Sequence, residues 1–349
     1  MDQMTSRELF VDTLRLEQTK FVPLMLRDLT LALDVLNVPT DKVFGNEYDS
    51  KLSADCVLAL QDMMGSDVTM GCIFSYGLEA FGGVTKYPAD GIPYVSGNPL
   101  ADPEKVDILD PSSIVADLCI GMRRSSEIVR ERRPDLGLCI NVPGPMTMAG
   151  FARGVETFMM DLLTDPGLSE KIVRFSTDAI SHEMKYMCQD IADAVFFASA
   201  TDNPDMIGDE EYLAHSVPCL RRLSNEAHEE GYLSIYHPHG VFSTDDRLGL
   251  LDESIRAGID GFQFSEGNEP SGIIESTDGR CAVLGGVNAY STLLLGPDKR
   301  IIRDTNRFLN DLADHNYIMT CSCSVNRGLS LNNLKVMSDT LHEFNEGRS

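Results

Sequence analysis

The sequence predicts a single-domain α/β protein whose fold is a (β/α)8 barrel, also called a TIM barrel. The first observation is that eight short apolar runs of strand-like composition alternate with stretches of helical periodicity. The second is that no linker, internal repeat, low-complexity tract or long run of charge divides the chain. We therefore expect residues 1–349 to form one domain. A doubly wound sheet is the alternative, because it requires the same alternation.

The expected strands are short and recur along the whole chain. They begin near residues 22, 68, 136, 194, 232, 261, 282 and 317. Helical patterns cover residues 7–16, 29–36, 54–64, 110–132, 156–163, 168–191, 210–230, 297–314 and 331–346. Residues 82–106 are rich in Gly and Pro and predict a β-rich excursion. In a barrel of this kind, functional side chains are expected at the carboxyl ends of the strands.

The composition argues against several classes of function. The net charge is −25 and the pI is near 4.5, so phosphate groups of a nucleic acid or an anionic membrane would be repelled over most of the surface. The chain has no run of about 18 apolar residues and no signal-peptide pattern at its start. Nine cysteines at irregular spacing do not form a secreted disulfide framework. We expect a cytoplasmic protein without a membrane or nucleic-acid partner.

Two short stretches place metal-ligating side chains at strand ends. Residues 236–240 follow the expected fifth strand and contain His237 and His239, and residues 320–324 follow the expected eighth strand and contain Cys323. The i, i+2 spacing directs both imidazoles to one side of an extended segment. Two imidazoles and a thiolate can hold a zinc ion and leave its fourth position open, as in catalytic sites. The competing interpretation is that the histidines bond to backbone and the cysteine packs in the core.

The open position of such a metal admits two kinds of chemistry. It can bind a substrate thiol and lower its pKa, so that a nucleophilic thiolate is available at neutral pH. It can instead hold a water molecule for hydrolysis, although hydrolytic sites more often combine histidine with carboxylate ligands. A cysteine ligand favours sulfur chemistry.

Cys321 and Cys323 could alternatively form a redox pair. Alternate residues of an extended strand have Cα atoms roughly 6.6 Å apart, which is at the upper limit that a disulfide spans. We do not favour this interpretation.

Several other polar residues near strand ends are candidates for substrate contacts. Asp202 follows the expected fourth strand and could steady a ligating imidazole or a substrate proton, although it also fits ordinary turn chemistry. Arg27, Arg153 and Arg327 could receive an anionic substrate, although surface ion pairing is the commoner fate of an arginine. Asn288 is a further candidate substrate contact and shares its ambiguity with Glu266 and Asn326.

Three segments resemble one known family. Residues 144–150 read Gly-Pro-Met-Thr-Met-Ala-Gly, residues 284–288 read Leu-Gly-Gly-Val-Asn, and residues 323–334 read Cys-Ser-Val-Asn-Arg-Gly-Leu-Ser-Leu-Asn-Asn-Leu. Together they resemble motifs of the uroporphyrinogen decarboxylase superfamily, and within it the cobamide-dependent methyltransferases that methylate coenzyme M. The resemblance spans nearly the whole chain.

The resemblance implies a zinc site and a methylcobamide donor. In the methyltransferase branch, the ligands are a His-x-Cys pair and a late cysteine, which correspond to His237, His239 and Cys323. Histidine at 239 departs from that pattern and removes one thiolate charge from the metal. The family ending Thr-Pro-x-Glu is also altered, with Leu329, Ser330 and Asn332 in its place.

The resemblance does not favour porphyrinogen decarboxylation. Metal-free decarboxylases of the superfamily carry an arginine-rich N-terminal segment, whereas residues 25–29 here contain only Arg27. We therefore expect a zinc-dependent methyltransferase that moves a methyl group from a corrinoid protein to a small thiol such as coenzyme M. The alternatives are a metal-free decarboxylase or lyase and a non-catalytic corrinoid-binding module. The sequence does not identify the acceptor.

Overall fold

A parallel β-sheet forms the centre of the molecule in the computed structural model, which describes residues 4–348. The strands in chain order are β1 (Val68–Thr69), β2 (Val84–Lys86), β3 (Tyr94–Gly97), β4 (Gly137–Pro143), β5 (Ala194–Ser199), β6 (Leu233–Pro238), β7 (Gly261–Gln263), β8 (Ala282–Val287) and β9 (Tyr317–Cys321). Seven of them pair side by side in the order β1, β4, β5, β6, β7, β8, β9, all parallel. Every residue of β4, β5, β8 and β9 is buried, as expected for a parallel sheet covered on both faces.

The two edges of this sheet meet through the segment at Leu24 and Met25. Leu24 forms a parallel bridge to Met319 of β9, and Met25 forms one to Val68 of β1. The expected strand near residue 22 is therefore reduced to single bridges. The Met25 amide donates to Met319 of β9 at 3.0 Å, whereas the Leu24 amide donates to the Asp67 carboxylate at 2.8 Å and Pro23 has no N–H. The (β/α)8 prediction is confirmed in architecture, with seven strands and this bridging segment.

The amino-terminal end of the barrel is closed by a helix. Ser6–Leu14 begins with a capping box formed by Thr5 and Glu8, and its Phe10 and Leu14 pack with apolar side chains inside the barrel. A Cβ atom on Gly137 would lie 2.7 Å from the Phe10 ring, so glycine permits this close approach. The opposite, carboxyl end of the strands is left for a site.

Helices surround the sheet. The longer ones are Ser6–Leu14, Ser50–Met64, Asp117–Arg132, Pro145–Arg153, Val155–Thr164, Pro166–Cys188, Val217–Glu229, Leu248–Arg256, Pro270–Thr277, Asp298–Leu312 and Leu331–Gly347. Short α-helical turns are Ala32–Val35, Thr40–Val43, Pro204–Ile207 and Asp209–Glu211, with 3-10 turns at Leu78–Phe81, Pro103–Asp107 and Pro111–Ile114 and π-helical turns at Tyr212–Ser216 and Ala289–Leu294. In Asp298–Leu312 the buried residues Ile301, Thr305, Leu309 and Leu312 recur every three or four positions, which is the expected inward stripe.

Some local predictions differ from the structure. The helix expected over residues 210–230 is confirmed as a continuous helical stretch from Asp209 to Glu229, but it passes through a π-helical turn at Tyr212–Ser216. The helix expected over 110–132 starts as a 3-10 turn and is α-helical from Asp117. Helices Leu248–Arg256 and Pro270–Thr277 were not predicted. The β-rich excursion is confirmed as an antiparallel hairpin of β2 and β3.

No helix within residues 4–348 is long and apolar enough to cross a membrane. All nine cysteines are free thiols, so the redox pair of Cys321 and Cys323 is not formed.

Candidate metal centre

Three side chains converge at the carboxyl end of the barrel. His237 lies near the end of β6, which extends to Pro238, and His239 follows directly; Cys323 lies two residues beyond β9. One ligand atom from each residue lies within 4.8 Å of the other two. The Sγ atom of Cys323 is 3.6 Å from Nε2 of His239. The structure therefore brings together the three residues that the sequence predicted as metal ligands.

His237 is held in the orientation that a metal ligand needs. Its Nδ1 atom is 3.1 Å from the backbone carbonyl oxygen of Gln263, which can only accept, so Nδ1 carries the proton. Its Nε2 atom is buried and has no hydrogen-bond partner among the described residues. In metal-bound histidines, one ring nitrogen commonly donates to a carbonyl oxygen, and the other keeps a free lone pair for the metal.

The protonation states of the centre suit metal binding. Burial raises the pKa of Cys323, but contacts with His237 and His239 and the charge of Arg27 outweigh it and lower that pKa to about 3. Burial lowers the pKa of His237, even though the neighbouring thiolate acts in the opposite direction. A thiolate beside a neutral imidazole is the donor set that metal ions require.

A cavity of about 380 Å³ opens onto the three side chains. Aromatic and aliphatic groups form most of its wall, among them Phe74, Tyr76 and Phe151. The hairpin of β2 and β3 contributes Ile92 and Tyr94, which are also exposed at the entrance. This volume and composition fit a small organic ligand.

Arg27 is the cation of this cavity. Its side chain is only 6% exposed, its Nε donates to Asn141 Oδ1 at 3.0 Å, and its guanidinium lies 5.0 Å from the Phe196 ring centroid. Within residues 4–348, Arg27 forms no ion pair with a carboxylate. Burying a charge is costly unless an opposite charge lies near, and the Cys323 thiolate, whose pKa the Arg27 charge lowers, is such a charge. Because the guanidinium also lines the cavity, it can attract a negative group of a ligand there.

The other two predicted arginines do not line the cavity. Arg153 donates to Asp161 and to the carbonyl oxygens of Leu100 and Ala101. Arg327 donates to the Asp34 carboxylate, to Thr40 and to two backbone carbonyls. Both guanidinium groups are occupied in holding loops together. Their substrate-binding role stays a prediction that this placement does not favour.

Asn288 and Asp202 also lie outside the cavity wall. The Asn288 side chain accepts from the backbone amides of Tyr290 and Ser291, so it caps the turn Ala289–Leu294 that carries Tyr290 into the cavity. Its predicted contact with substrate stays a prediction.

Asp202 is fully buried beneath the loop that begins at Gly144. Burial raises its pKa to about 6, while the backbone amides of Met146 and Thr147 and the hydroxyls of Ser216 and Ser199 act in the opposite direction. A Cβ atom on Gly144 would lie 2.7 Å from its Oδ2 and 1.9 Å from Ser199 Oγ, so only glycine fits there. The catalytic role predicted for Asp202 stays a prediction, and the position itself favours support of the loop.

Two neighbours of the site were not singled out by sequence reasoning. Gln263 ends β7 and contacts both the His237 ring and the Cys321 carbonyl. Tyr290 lines the cavity, and the charge of Cys323 together with burial raises its pKa to about 12. The signal for Gln263 was present, because it is a polar residue ending an apolar strand on an inward-facing position.

Comparison with known families supports the resemblance inferred from the motifs. The family described as uroporphyrinogen decarboxylase (URO-D) matches residues 5–344 of this chain.

Two similar curated proteins come from the genus Methanosarcina. A protein of Methanosarcina mazei named methylated-thiol–coenzyme M methyltransferase is 24% identical over 291 residues, which is 82% of this chain and 76% of that protein. The methylcobamide:CoM methyltransferase MtaA of Methanosarcina barkeri is 23% identical over 297 residues, or 83% of this chain and 78% of that protein. These names confirm the branch that the motifs indicated.

Solved structures confirm the fold. A methyltransferase from Methanosarcina mazei superposes with a TM-score of 0.83 at 20% identity and covers 98% of this chain and 99% of its own. A B12-independent methionine synthase from Shewanella sp. W3-18-1, solved with selenomethionine, gives a TM-score of 0.58 at 12% identity, with coverage of 94% and 98%.

Proposed function

This chain belongs to the uroporphyrinogen decarboxylase family, and we propose that it is a zinc-dependent enzyme that transfers a methyl group from a methylated corrinoid protein to a small thiol. The observation that carries the proposal is the convergence of His237, His239 and Cys323 on one point at the end of a cavity. The names of its relatives supply the reaction type.

The residues fit a zinc ion. Zinc–sulfur bonds of about 2.3 Å and zinc–nitrogen bonds of about 2.0–2.1 Å at a tetrahedral angle separate the two donors by about 3.5–3.6 Å. The Cys323 Sγ to His239 Nε2 distance is 3.6 Å. The buried and unpartnered Nε2 of His237 supplies the third donor. Three protein ligands leave one position for substrate, which is typical of catalytic zinc.

The cavity can bind the acceptor thiol next to the metal centre. A zinc ion held by His237, His239 and Cys323 would lower the pKa of the acceptor thiol, so that the acceptor would be a thiolate at neutral pH. The apolar wall of Phe74, Tyr76 and Phe151 excludes water around it. The buried guanidinium of Arg27 receives a negative group at the other end of the same small molecule. Coenzyme M, which the relatives' names include, has both a thiol and an anionic end.

The methyl donor enters from the open side of the cavity. Ile92, Tyr94 and Tyr290 line this side and are each about half exposed, which suits contact with a corrinoid held on a partner protein. In the transfer, the thiolate sulfur forms a bond to the methyl carbon. The carbon–cobalt bond breaks with its electron pair remaining on cobalt, and the acceptor's proton has already left to solvent.

His239 makes this site different from the family pattern. Replacing a thiolate by a neutral imidazole leaves one more unit of positive charge on the metal complex. A thiol bound there is more acidic and its thiolate is less electron-rich. The acceptor can therefore differ from that of the relatives.

We also propose that residues 1–349 act as one cytoplasmic domain. The family match from 5 to 344 and the nine free thiols support this.

The experiment is a spectral assay of methylcobalamin with candidate thiols, among them coenzyme M. Enzyme-dependent loss of the methylcobalamin spectrum, with appearance of cob(I)alamin or its oxidised product and of a methyl thioether, is the expected result. Absence of conversion with every thiol contradicts methyl transfer and favours a non-catalytic corrinoid-binding module or a metal-free lyase.

A further inference from the structure

We propose that Gln263 is the positioning residue that couples the two arms of the metal centre. One arm is the β6 end with the two histidines, and the other is the segment after β9 with Cys323. The proposal rests on the proposed function to the extent that the centre holds zinc. It adds a residue outside the ligand set and explains how ligands from distant strands are kept in register.

Gln263 acts on the histidine arm through its main chain. The backbone carbonyl oxygen accepts from Nδ1 of His237 at 3.1 Å, which fixes the tautomer and the ring orientation. β6 and β7 are paired as neighbours up to Phe262, so this carbonyl is held by the sheet itself.

Gln263 acts on the cysteine arm through its side chain. Its Nε2 donates to the backbone carbonyl oxygen of Cys321 at 2.7 Å. β8 lies between β7 and β9 in the sheet, so this hydrogen bond spans a strand. Because Cys321 is two residues before Cys323, the amide fixes the start of the segment that delivers the thiolate.

The next residue of the cysteine arm is fixed as well. Ser322 Oγ donates to Glu266 Oε1 at 2.6 Å and accepts from the backbone amide of Ala289 at 3.0 Å. Contacts from the β7 end and the β8 end therefore hold both residues that precede Cys323. Among the described residues that make these contacts, Gln263 is the one that also contacts a ligating imidazole.

The hydrogen bond from Gln263 to Cys321 is buried, so its loss is costly. Gln263 is 0% exposed and Cys321 is 1% exposed, so water cannot replace the amide if it is removed. The Cys321 carbonyl would be left without this donor, and the segment could shift relative to His237. Partners of this kind change metal affinity by about 10–100-fold when they are lost.

The test uses Gln263→Met, which keeps the length of the side chain and removes the donor. Gln263→Glu is a second variant that replaces the donating amide by an acceptor. Gln61→Met is the control, because Gln61 is also buried, donates to the backbone carbonyl of Ser66 at 2.9 Å, accepts from Arg133 at 2.7 Å and does not line the cavity. Folding of each variant is checked by circular dichroism and thermal unfolding.

Zinc affinity is measured by competition with a chromophoric chelator, and cobalt substitution reports the thiolate-to-metal charge-transfer band of Cys323. We expect about 10–100-fold weaker zinc binding and a weakened band in both Gln263 variants, with wild-type values in Gln61→Met. Wild-type zinc affinity in folded Gln263→Met would overturn the coupling role and leave the proposed function standing. A wild-type protein that binds no zinc would overturn both.

Discussion

The Sγ atom of Cys323 lies 3.6 Å from Nε2 of His239, although 84 positions separate the two residues in the chain. The separation is that of a hydrogen bond between nitrogen and sulfur, and it also agrees with two donors that share one tetrahedral zinc ion. It is the structural relationship that makes His239 a ligand candidate in spite of its departure from the family pattern.

His239→Ala is the first test of that relationship. Removing one of three protein ligands should weaken zinc binding by at least about 100-fold, since loss of mere supporting partners already costs 10–100-fold. His239→Cys, which restores a thiolate, should keep zinc. Chelator competition measures both, and undiminished affinity in His239→Ala would show that His239 is not a ligand.

Arg27→Gln should impair use of anionic thiols selectively. A charge-assisted hydrogen bond contributes about 1.5–3 kcal/mol, so kcat/KM for an anionic acceptor should fall about 10–100-fold. The value for 2-mercaptoethanol, which has no anionic group, should change little. Arg27→Lys keeps the charge, so its kcat/KM for the anionic acceptor should lie between the values of wild type and of Arg27→Gln. An equal loss for both acceptors would mean that Arg27 supports the fold or the metal instead of the substrate.

Ile92→Glu should weaken docking of the corrinoid protein. Ile92 is 47% exposed at the cavity entrance, and a central contact in such an interface is worth more than about 1 kcal/mol, or roughly fivefold in affinity. The rate with protein-bound methylcobamide should fall while the rate with free methylcobalamin persists. Ile108→Glu is the control, because Ile108 is 78% exposed and does not line the cavity. The same loss in both variants would contradict the docking surface.

Glu183 should make stability depend on pH. It is 1% exposed in helix Pro166–Cys188, its Oε2 has no partner among the described residues, and burial raises its pKa to about 8. The folded state therefore retains this proton to higher pH than the unfolded state does. Its contribution to the free energy of unfolding must fall between the ordinary value of 4.5 and about pH 8, by up to about 1.4 kcal/mol per pH unit.

Glu183→Gln removes this titration. Urea unfolding at pH 5 and pH 8 should show that the variant gains stability relative to wild type at the higher pH only. Asp28, which is also buried with a pKa raised to about 7, keeps part of the wild-type pH dependence in the variant. A stability difference between variant and wild type that does not change with pH would contradict the buried, protonated carboxyl.

The sequence predicted the architecture because most of the long elements carry their own local signal, the helices Leu248–Arg256 and Pro270–Thr277 being exceptions. Strands such as Ala194–Ser199 are continuous apolar runs, and Asp298–Leu312 has a regular buried stripe. The segment at Leu24 and Met25, which closes the barrel, was predicted as a strand from its apolar run. In the structure it forms only single bridges, because the Leu24 amide donates to the carboxylate of Asp67, which is distant in the chain.

The candidate ligands were predictable from residue type and position, whereas the surrounding interactions were not. His237 and Cys323 follow strands at the end where sites form. The role of each arginine depends on the side chains that the fold places beside it. Arg327 pairs with Asp34, whereas Arg27 donates to Asn141 and has no carboxylate ion pair among residues 4–348. Gln263 was recognisable as a polar residue at the end of an apolar strand, but its hydrogen bonds to the His237 ring and to the Cys321 carbonyl join distant strands and leave no pattern in the sequence.

The zinc content of the purified protein tests the central claim most directly. Elemental analysis of protein prepared without chelator should give about one zinc per chain, and Cys323→Ser, which lacks the thiolate, should give far less. Wild-type protein with zinc far below one equivalent, or Cys323→Ser with the full wild-type content, would contradict a centre built from His237, His239 and Cys323.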